Sequence, residues 1–319
     1  ATPTPEQAQA QVHHSRGLEQ IERQEWDAAI LSFSSAIALD PVLADAYYRR
    51  GLVHHLHKDL PDLAINDYSK TIQLVPDNSE PYLLRGSAYS DIGANEKALA
   101  DYDTSLQLDS SNSIAYHDRA LAQAALGKAD EALADLNRAI ELAPDFASAF
   151  NFRGLLFLEL GQPENALEDF DKYSQLNPAD PAAYFNRGFA LAAMNQYEKA
   201  VADYTRAITM APGNPDFYMN RAEAYYQLGE YNKMISDGDQ LIELDRSSPF
   251  GYFYKGLGIA AKTEYELAID AFTETIKRAP DLGAGYYWRG ESYRELGDTE
   301  KADKDFARAK ELGYEPEDP

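Results

Sequence analysis

The chain has 319 residues, 45% of them hydrophobic, which is enough to bury a core and too much for a disordered segment. Its 29 Lys and Arg against 53 Asp and Glu give a formal net charge of −24, so nucleic acid and anionic membrane surfaces are disfavoured and basic proteins or peptides are favoured. There is no cysteine, which excludes disulfides, thiolate metal sites and cysteine catalysis, and no apolar run is long enough to span a bilayer.

Residues 1–9 read as a linker followed by a helix start: Thr4 as N-cap, Pro5 at the first helical position and Gln7 completing a capping box. A unit of 34 residues then recurs to the end of the chain. Aligned on a small residue at position 8 (Gly17, Gly51, Gly86, Ala120, Gly154, Gly188, Ala222, Gly256, Gly290), the units are 10–43, 44–78, 79–112, 113–146, 147–180, 181–214, 215–248, 249–282 and 283–316. The second unit has one extra residue, which the pattern places in the turn near Pro61. Residues 317–319 read as an acidic tail.

Each unit reads as two helices. In the first, positions 4, 7, 8 and 11 form an i, i+3, i+4, i+7 stripe, with an aromatic residue at position 4 in eight units, for example Tyr82 and Tyr184. The second has a small residue at position 20 (Ala98, Ala200) and usually an aromatic at position 24 (Tyr102, Tyr204). Pro at position 32 (Pro41, Pro144, Pro178, Pro212, Pro280) ends it, because proline cannot continue a helix. This pattern resembles the tetratricopeptide repeat family over about 300 residues. The resemblance implies an all-α, right-handed superhelical α-solenoid of nine helix-turn-helix units, with first helices lining a concave groove.

Position 7 is basic throughout: Arg16, Arg50, Arg85, Arg119, Arg153, Arg187, Arg221, Lys255 and Arg289. Position 23 is Asp in seven units (Asp67, Asp101, Asp135, Asp169, Asp203, Asp237, Asp305), which predicts an Arg–Asp pair within each repeat. Repeat 8 lacks both partners, since Lys255 faces Ala271. The last unit carries Asp303 and Lys310 where internal units are apolar, the pattern of a polar capping repeat, which opposes growth by end-to-end stacking. Repeat 5 is irregular at Tyr173 and Ser174, and repeat 7 at Met234 and Gly238, where a kink or looser packing is expected.

No catalytic motif, metal site or cofactor site emerges. Gly256-Leu-Gly258-Ile-Ala-Ala261 matches a relaxed dinucleotide fingerprint but lies inside a helix rather than after a strand. Among the six histidines, His13 and His54 fall on the core stripe and read as core or rim residues rather than metal ligands. The opening ATPTPEQ resembles the Thr-Pro-rich linkers that follow secretion signals or lipid anchors in bacterial surface proteins, which points to an extracytoplasmic location, periplasmic, surface-anchored or secreted.

The family places positions 2, 5, 6, 9 and 13 in the groove. From repeat 5 onward these are rich in aromatics, giving Phe152, Phe185, Asn186, Phe189, Met219, Asn220, Phe253, Tyr254, Tyr287 and Trp288 as candidate partner-binding residues. Asn186 and Asn220 share position 6 and offer donor and acceptor to a peptide backbone. The competing possibility is that tight winding buries these aromatics between neighbouring first helices. The Lys and Asn clamp for acidic chaperone tails is absent at positions 5 and 9, which are Tyr48 and Leu52, Leu83 and Ser87, and His117 and Leu121 in repeats 2–4. The expected function is a non-enzymatic scaffold that binds a segment of another, basic protein or peptide. The alternative is a secreted or surface structural protein that self-associates into an assembly or filament.

Overall fold

A computed structural model describes residues 3–315; the acidic tail expected at 317–319 lies outside them. The described residues form 18 helices and no strand. Two compact units divide the chain, residues 1–149 and 150–319. The first holds α1 (Pro5–Glu22), α2 (Trp26–Leu39), α3 (Ala44–Lys58), α4 (Pro61–Leu74), α5 (Ser79–Asp91), α6 (Asn95–Leu108), α7 (Ser113–Ala125) and α8 (Ala129–Leu142). At the division α9 (Ala147–Glu159) begins. The second continues with α10 (Pro163–Leu176), α11 (Pro181–Ala193), α12 (Tyr197–Met210), α13 (Pro215–Gln227), α14 (Tyr231–Leu244), α15 (Phe250–Ala261), α16 (Tyr265–Arg278), α17 (Gly283–Glu295) and α18 (Thr299–Glu311).

Local chemistry sets the boundaries. At the start of α1, Thr4 Oγ1 accepts from Gln7 N at 3.2 Å and Thr4 N donates to Gln7 Oε1 at 3.0 Å, the predicted capping box. Second helices stop two residues before the position-32 proline, because the residue preceding a proline avoids the α region; Ala211, before Pro212, sits at φ −139° and ψ 76°. The break between paired helices is a left-handed residue at position 15, filled by glycine at Gly93, Gly127, Gly161, Gly229 and Gly297. Asn195 and Thr263 take the same conformation at φ 58° and 63°, and Thr263 is β-branched, which makes it the strained case. The extra residue of repeat 2 lengthens α3 to 15 residues and leaves Asp59 as a left-handed cap, so it extends a helix instead of the turn.

Within a repeat, position 8 meets position 24. A Cβ on Gly188 would lie 2.8 Å from the ring of Tyr204, and Gly86 stands in the same relation to Tyr102 at 2.7 Å. Repeats with alanine at position 8 give up the aromatic: Ala120 pairs with Leu136 at position 24, and Ala222 with Gly238. In repeat 7 the bulk moves to position 20, where Met234 is fully buried and packs with Ala222.

This corrects the expectation of loose packing there. Helices α14 and α15 meet backbone to backbone: a Cβ on Gly238 would lie 2.8 Å from Lys255 N and 2.9 Å from Gly251 O. On α15, Gly251 and Gly258 face Ile242 and Ile235 of α14 while Gly256 faces Phe272 of α16. The glycines of the fingerprint-like stretch are therefore packing contacts on two sides of one helix.

The predicted Arg–Asp pairs form as forks. Arg187 donates through Nε and Nη2 to Asp203, both at 2.7 Å, and Arg50, Arg85, Arg119, Arg153, Arg221 and Arg289 do the same with their own aspartates. The third nitrogen reaches the preceding repeat: Arg187 Nη1 lies 3.0 Å from Asp171, and Arg221, Arg85 and Arg289 contact Thr205, Ser69 and Thr273 in the same way. Lys255 cannot fork, and keeps only this backward contact, to Asp239 at 2.7 Å. Arg16 lacks the aspartate because Ser32 stands at position 23 of repeat 1, and its side chain is exposed.

Candidate functional site

In the second unit α11, α13 and α15 each pack on their own second helix and also touch the next first helix: α11 with α13, α13 with α15, and α15 with α17. First helices thus lie closer together than the layer they pack against, and their outward positions 5, 6, 9 and 13 share the inner face.

The structure separates the ten candidate residues. Phe185 is packed between repeats, its ring 4.9 Å from Phe217 and 5.8 Å from Tyr204. Phe253 lies 6.1 Å from Phe272, and Tyr254 joins the clusters on both sides of α15, where burial pushes its phenol up to about 12. Tyr287 is ringed by Trp288, Phe306 and Tyr314 at 5.4–5.6 Å. Met219 packs beside Tyr218 and Leu241. Phe185, Met219, Phe253 and Tyr254 belong to the contacts that stack the repeats, and Tyr287 to the core of repeat 9 itself. Phe152 is half-buried on α9.

The asparagines are each hydrogen-bonded within the chain. Asn186 Nδ2 donates to Asn151 Oδ1 at 2.8 Å, and Asn220 Nδ2 donates to the Asp216 carbonyl at 2.9 Å. Phe189 is the exposed member at 46%.

Phe189, Asn220 and Trp288 line two clefts on the inner face. One, of about 260 Å³, lies among α11, α12 and α13 and is walled by Phe189, Ala192, Tyr197, Asn220, Glu223 and Gln227. The other, of about 250 Å³, lies among α13, α15, α16 and α17 and is walled by Tyr226, Leu257, Tyr265, Trp288, Glu291 and Glu295. The tyrosines lie at positions 12 and 17, which were not counted as groove positions, and the glutamates lie at the counted positions 9 and 13 but are not aromatic. Glu at position 9 of repeats 7 and 9, among aliphatic neighbours, was the available signal.

The histidines are engaged locally in the first unit. His54 Nδ1 lies 3.1 Å from Asp67, His55 Nε2 2.6 Å from Asp91, and His57 stacks on Trp26 at 3.7 Å. No group of three His, Asp or Glu among the described residues could hold a metal ion. No described helix is long and apolar enough to cross a membrane.

Comparison with known proteins agrees with this architecture. Models described as TPR repeat match residues 17–57 and 190–229, and models described as tetratricopeptide repeat match 79–112, 117–181, 170–202, 215–248 and 284–312. Among solved structures, a tetratricopeptide repeat protein from Parabacteroides merdae is 20% identical over 84% of this chain and 98% of its own, with a TM-score of 0.56. PilF of Pseudomonas aeruginosa is 17% identical over 69% of this chain and 100% of its own, with a TM-score of 0.59. YrrB, described as a TPR protein with an unusual peptide-binding site, is 24% identical over 61% of this chain and 97% of its own, with a TM-score of 0.52. With the period, the helix pairs and the position-8 packing all in register, the chain belongs to the tetratricopeptide repeat family.

Proposed function

We propose that the protein is a non-catalytic scaffold that binds an extended segment of a partner protein along the inner face of repeats 6–9. The observation that carries this reading is the pair of clefts. Their walls include Phe189, Glu223, Glu291 and Glu295, which the stacking of repeats does not require, together with one side of Trp288, which also packs on the cluster of repeats 7 and 8, whereas Phe185, Phe253 and Tyr254 are consumed by stacking. Aromatic anchors in small concavities are how protein surfaces concentrate binding energy. The peptide-binding description of YrrB supports the same reading by analogy of fold. The formal charge of −24 favours a partner segment carrying Lys or Arg.

A peptide-display selection on the intact protein tests this. The expected result is a family of enriched peptides whose binding is lost in Phe189→Asp together with Glu295→Lys, two exposed residues of the cleft walls, with the helical circular dichroism unchanged. Phe185, Phe253 and Trp288 are unsuitable for this purpose, because truncating them opens the core. If no family is enriched, or if enriched peptides bind the double variant as well as the wild type, the inner face is not the binding site.

A further inference from the structure

The two clefts are one construction made twice. The first is lined from positions 9, 12, 13 and 17 of repeat 6 (Phe189, Ala192, Ala193, Tyr197) and 6, 9, 10 and 13 of repeat 7 (Asn220, Glu223, Ala224, Gln227). The second uses the same positions of repeats 8 and 9: Leu257, Ala260, Ala261 and Tyr265, then Trp288, Glu291, Ser292 and Glu295. In the register between them, Tyr226 and Tyr254 stand at the corresponding positions 12 and 6 and pack into the core. Tyrosine at position 17 and glutamate at position 9 are common to both clefts. The copies differ at four positions: Phe189 becomes Leu257, Asn220 becomes Trp288, Ala224 becomes Ser292 and Gln227 becomes Glu295.

Two of these, Asn220 to Trp288 and Gln227 to Glu295, act in the same direction. Trp288, with Tyr226 and Tyr265, supplies aromatic faces, whose negative quadrupoles attract a cation. Glu295 adds a second carboxylate to Glu291 and makes no ion pair among the described residues. Glu291 is held at the rim by Arg294, whose own side chain is 56% exposed. A cleft of about 250 Å³ is smaller than those that enclose drug-sized ligands and has room for a single long side chain. We propose that the cleft among α13, α15, α16 and α17 is a socket for a basic side chain, lysine or arginine, presented by the bound peptide, its stem on Leu257, Ala260 and Ala261 and its charge between Trp288 and the two glutamates. This inference rests on the reading of the inner face as a peptide site and assigns the chemistry of one of its anchors.

Trp26 and Trp288 are the two tryptophans of the chain, so Trp26→Phe leaves Trp288 as the sole reporter, inside the cleft. The variant is titrated with the pentapeptide acetyl-Ala-Ala-Lys-Ala-Ala-amide, its Arg counterpart, and versions with norleucine or acetyl-lysine at the centre. A saturable change in Trp288 emission is expected with Lys and Arg, with about tenfold weaker binding for norleucine and acetyl-lysine. Glu291→Gln with Glu295→Gln removes the response to Lys, Arg294→Ala tightens it by freeing Glu291, and Glu223→Gln in the other cleft leaves it unchanged. Norleucine binding as tightly as lysine, or a linear response to lysine into the millimolar range, overturns the socket. The display selection keeps the two readings apart. Enriched peptides that depend on Phe189 but tolerate loss of their basic residue leave the groove standing and remove the socket, whereas a Lys-specific response with no enriched family does the reverse.

Discussion

Repeat 6 and the junction of repeats 7 and 8 solve the same packing problem in opposite ways. In repeat 6 the tight contact is internal: Gly188 admits the ring of Tyr204, and Arg187 forks to Asp203 and back to Asp171. At the junction the bulk sits at Met234, position 24 is Gly238, and the closest approach moves to the seam between α14 and α15. There the cation is Lys255, which holds one acid instead of two. The repeat thus conserves the sum of volumes along a seam rather than the residue at any one position.

Removing the cation separates the two solutions most strongly. Arg187→Ala leaves Asp203, 7% exposed, without its partner and is expected to cost about 3–5 kcal/mol in chemical denaturation. Lys255→Ala, which breaks a half-exposed pair, should cost under about 1 kcal/mol. Equal costs would mean that the fork adds nothing to a single contact. Next comes the glycine seam. Gly238→Ala drives a methyl against two backbone atoms and should cost about 3 kcal/mol, whereas Gly188→Ala meets the edge of the Tyr204 ring, which can yield, and should cost about 1 kcal/mol.

The acid of repeat 7 gives a pH signature. Burial holds the Asp237 carboxyl above the usual range despite Arg221. A raised folded value favours the protonated form, so this group's contribution to stability is present below the pKa of an unfolded aspartate and is lost as the pH rises through the folded value. Asp237→Asn should therefore cost about 1–2 kcal/mol at pH 7, less than Arg221→Ala, and the difference from wild type should widen on acidification. A difference that narrows on acidification contradicts this assignment. The smallest effect is a gain. Thr263→Gly relieves a β-branched residue at φ 63° and should raise stability by about 1 kcal/mol, read as an upward shift of the thermal midpoint, while Gly229→Thr at the same position of repeat 7 should lose as much.

The period, the helix pairs, the position-8 and position-24 coupling and the Arg–Asp pairs were legible because each lies inside one 34-residue window at fixed spacing. The backward arm of the arginine was written in the sequence too, as Ser69, Asp103, Asp171, Thr205, Asp239 and Thr273 at position 25, but a pattern that joins two units is hidden when each is read alone. The junction at Gly238 was misread as loose because a glycine lowers intrinsic helix stability, while its effect on how close a neighbour can come depends on that neighbour's glycines. The candidate site was the least legible part. A cleft is a space left by nine side chains on two or three repeats, and no single residue type marks it. Phe185 and Phe189 share a helix and an aromatic ring, yet one fills the space between repeats and the other borders an opening.

The arginine fork has a consequence for how such an array comes apart. A cation shared by two repeats is lost when either one opens, so the energy of each repeat is partly held in common with its neighbour. Under force or at an eroding end, repeats joined in this way let go in blocks. Between repeats 7 and 8 the single bond of Lys255 replaces the fork, and the dry glycine contact of α14 and α15 carries the coupling instead. That step in an unfolding trace should weaken more with Gly238→Ala than with Lys255→Ala, because the glycine contact rather than the half-exposed ion pair carries it.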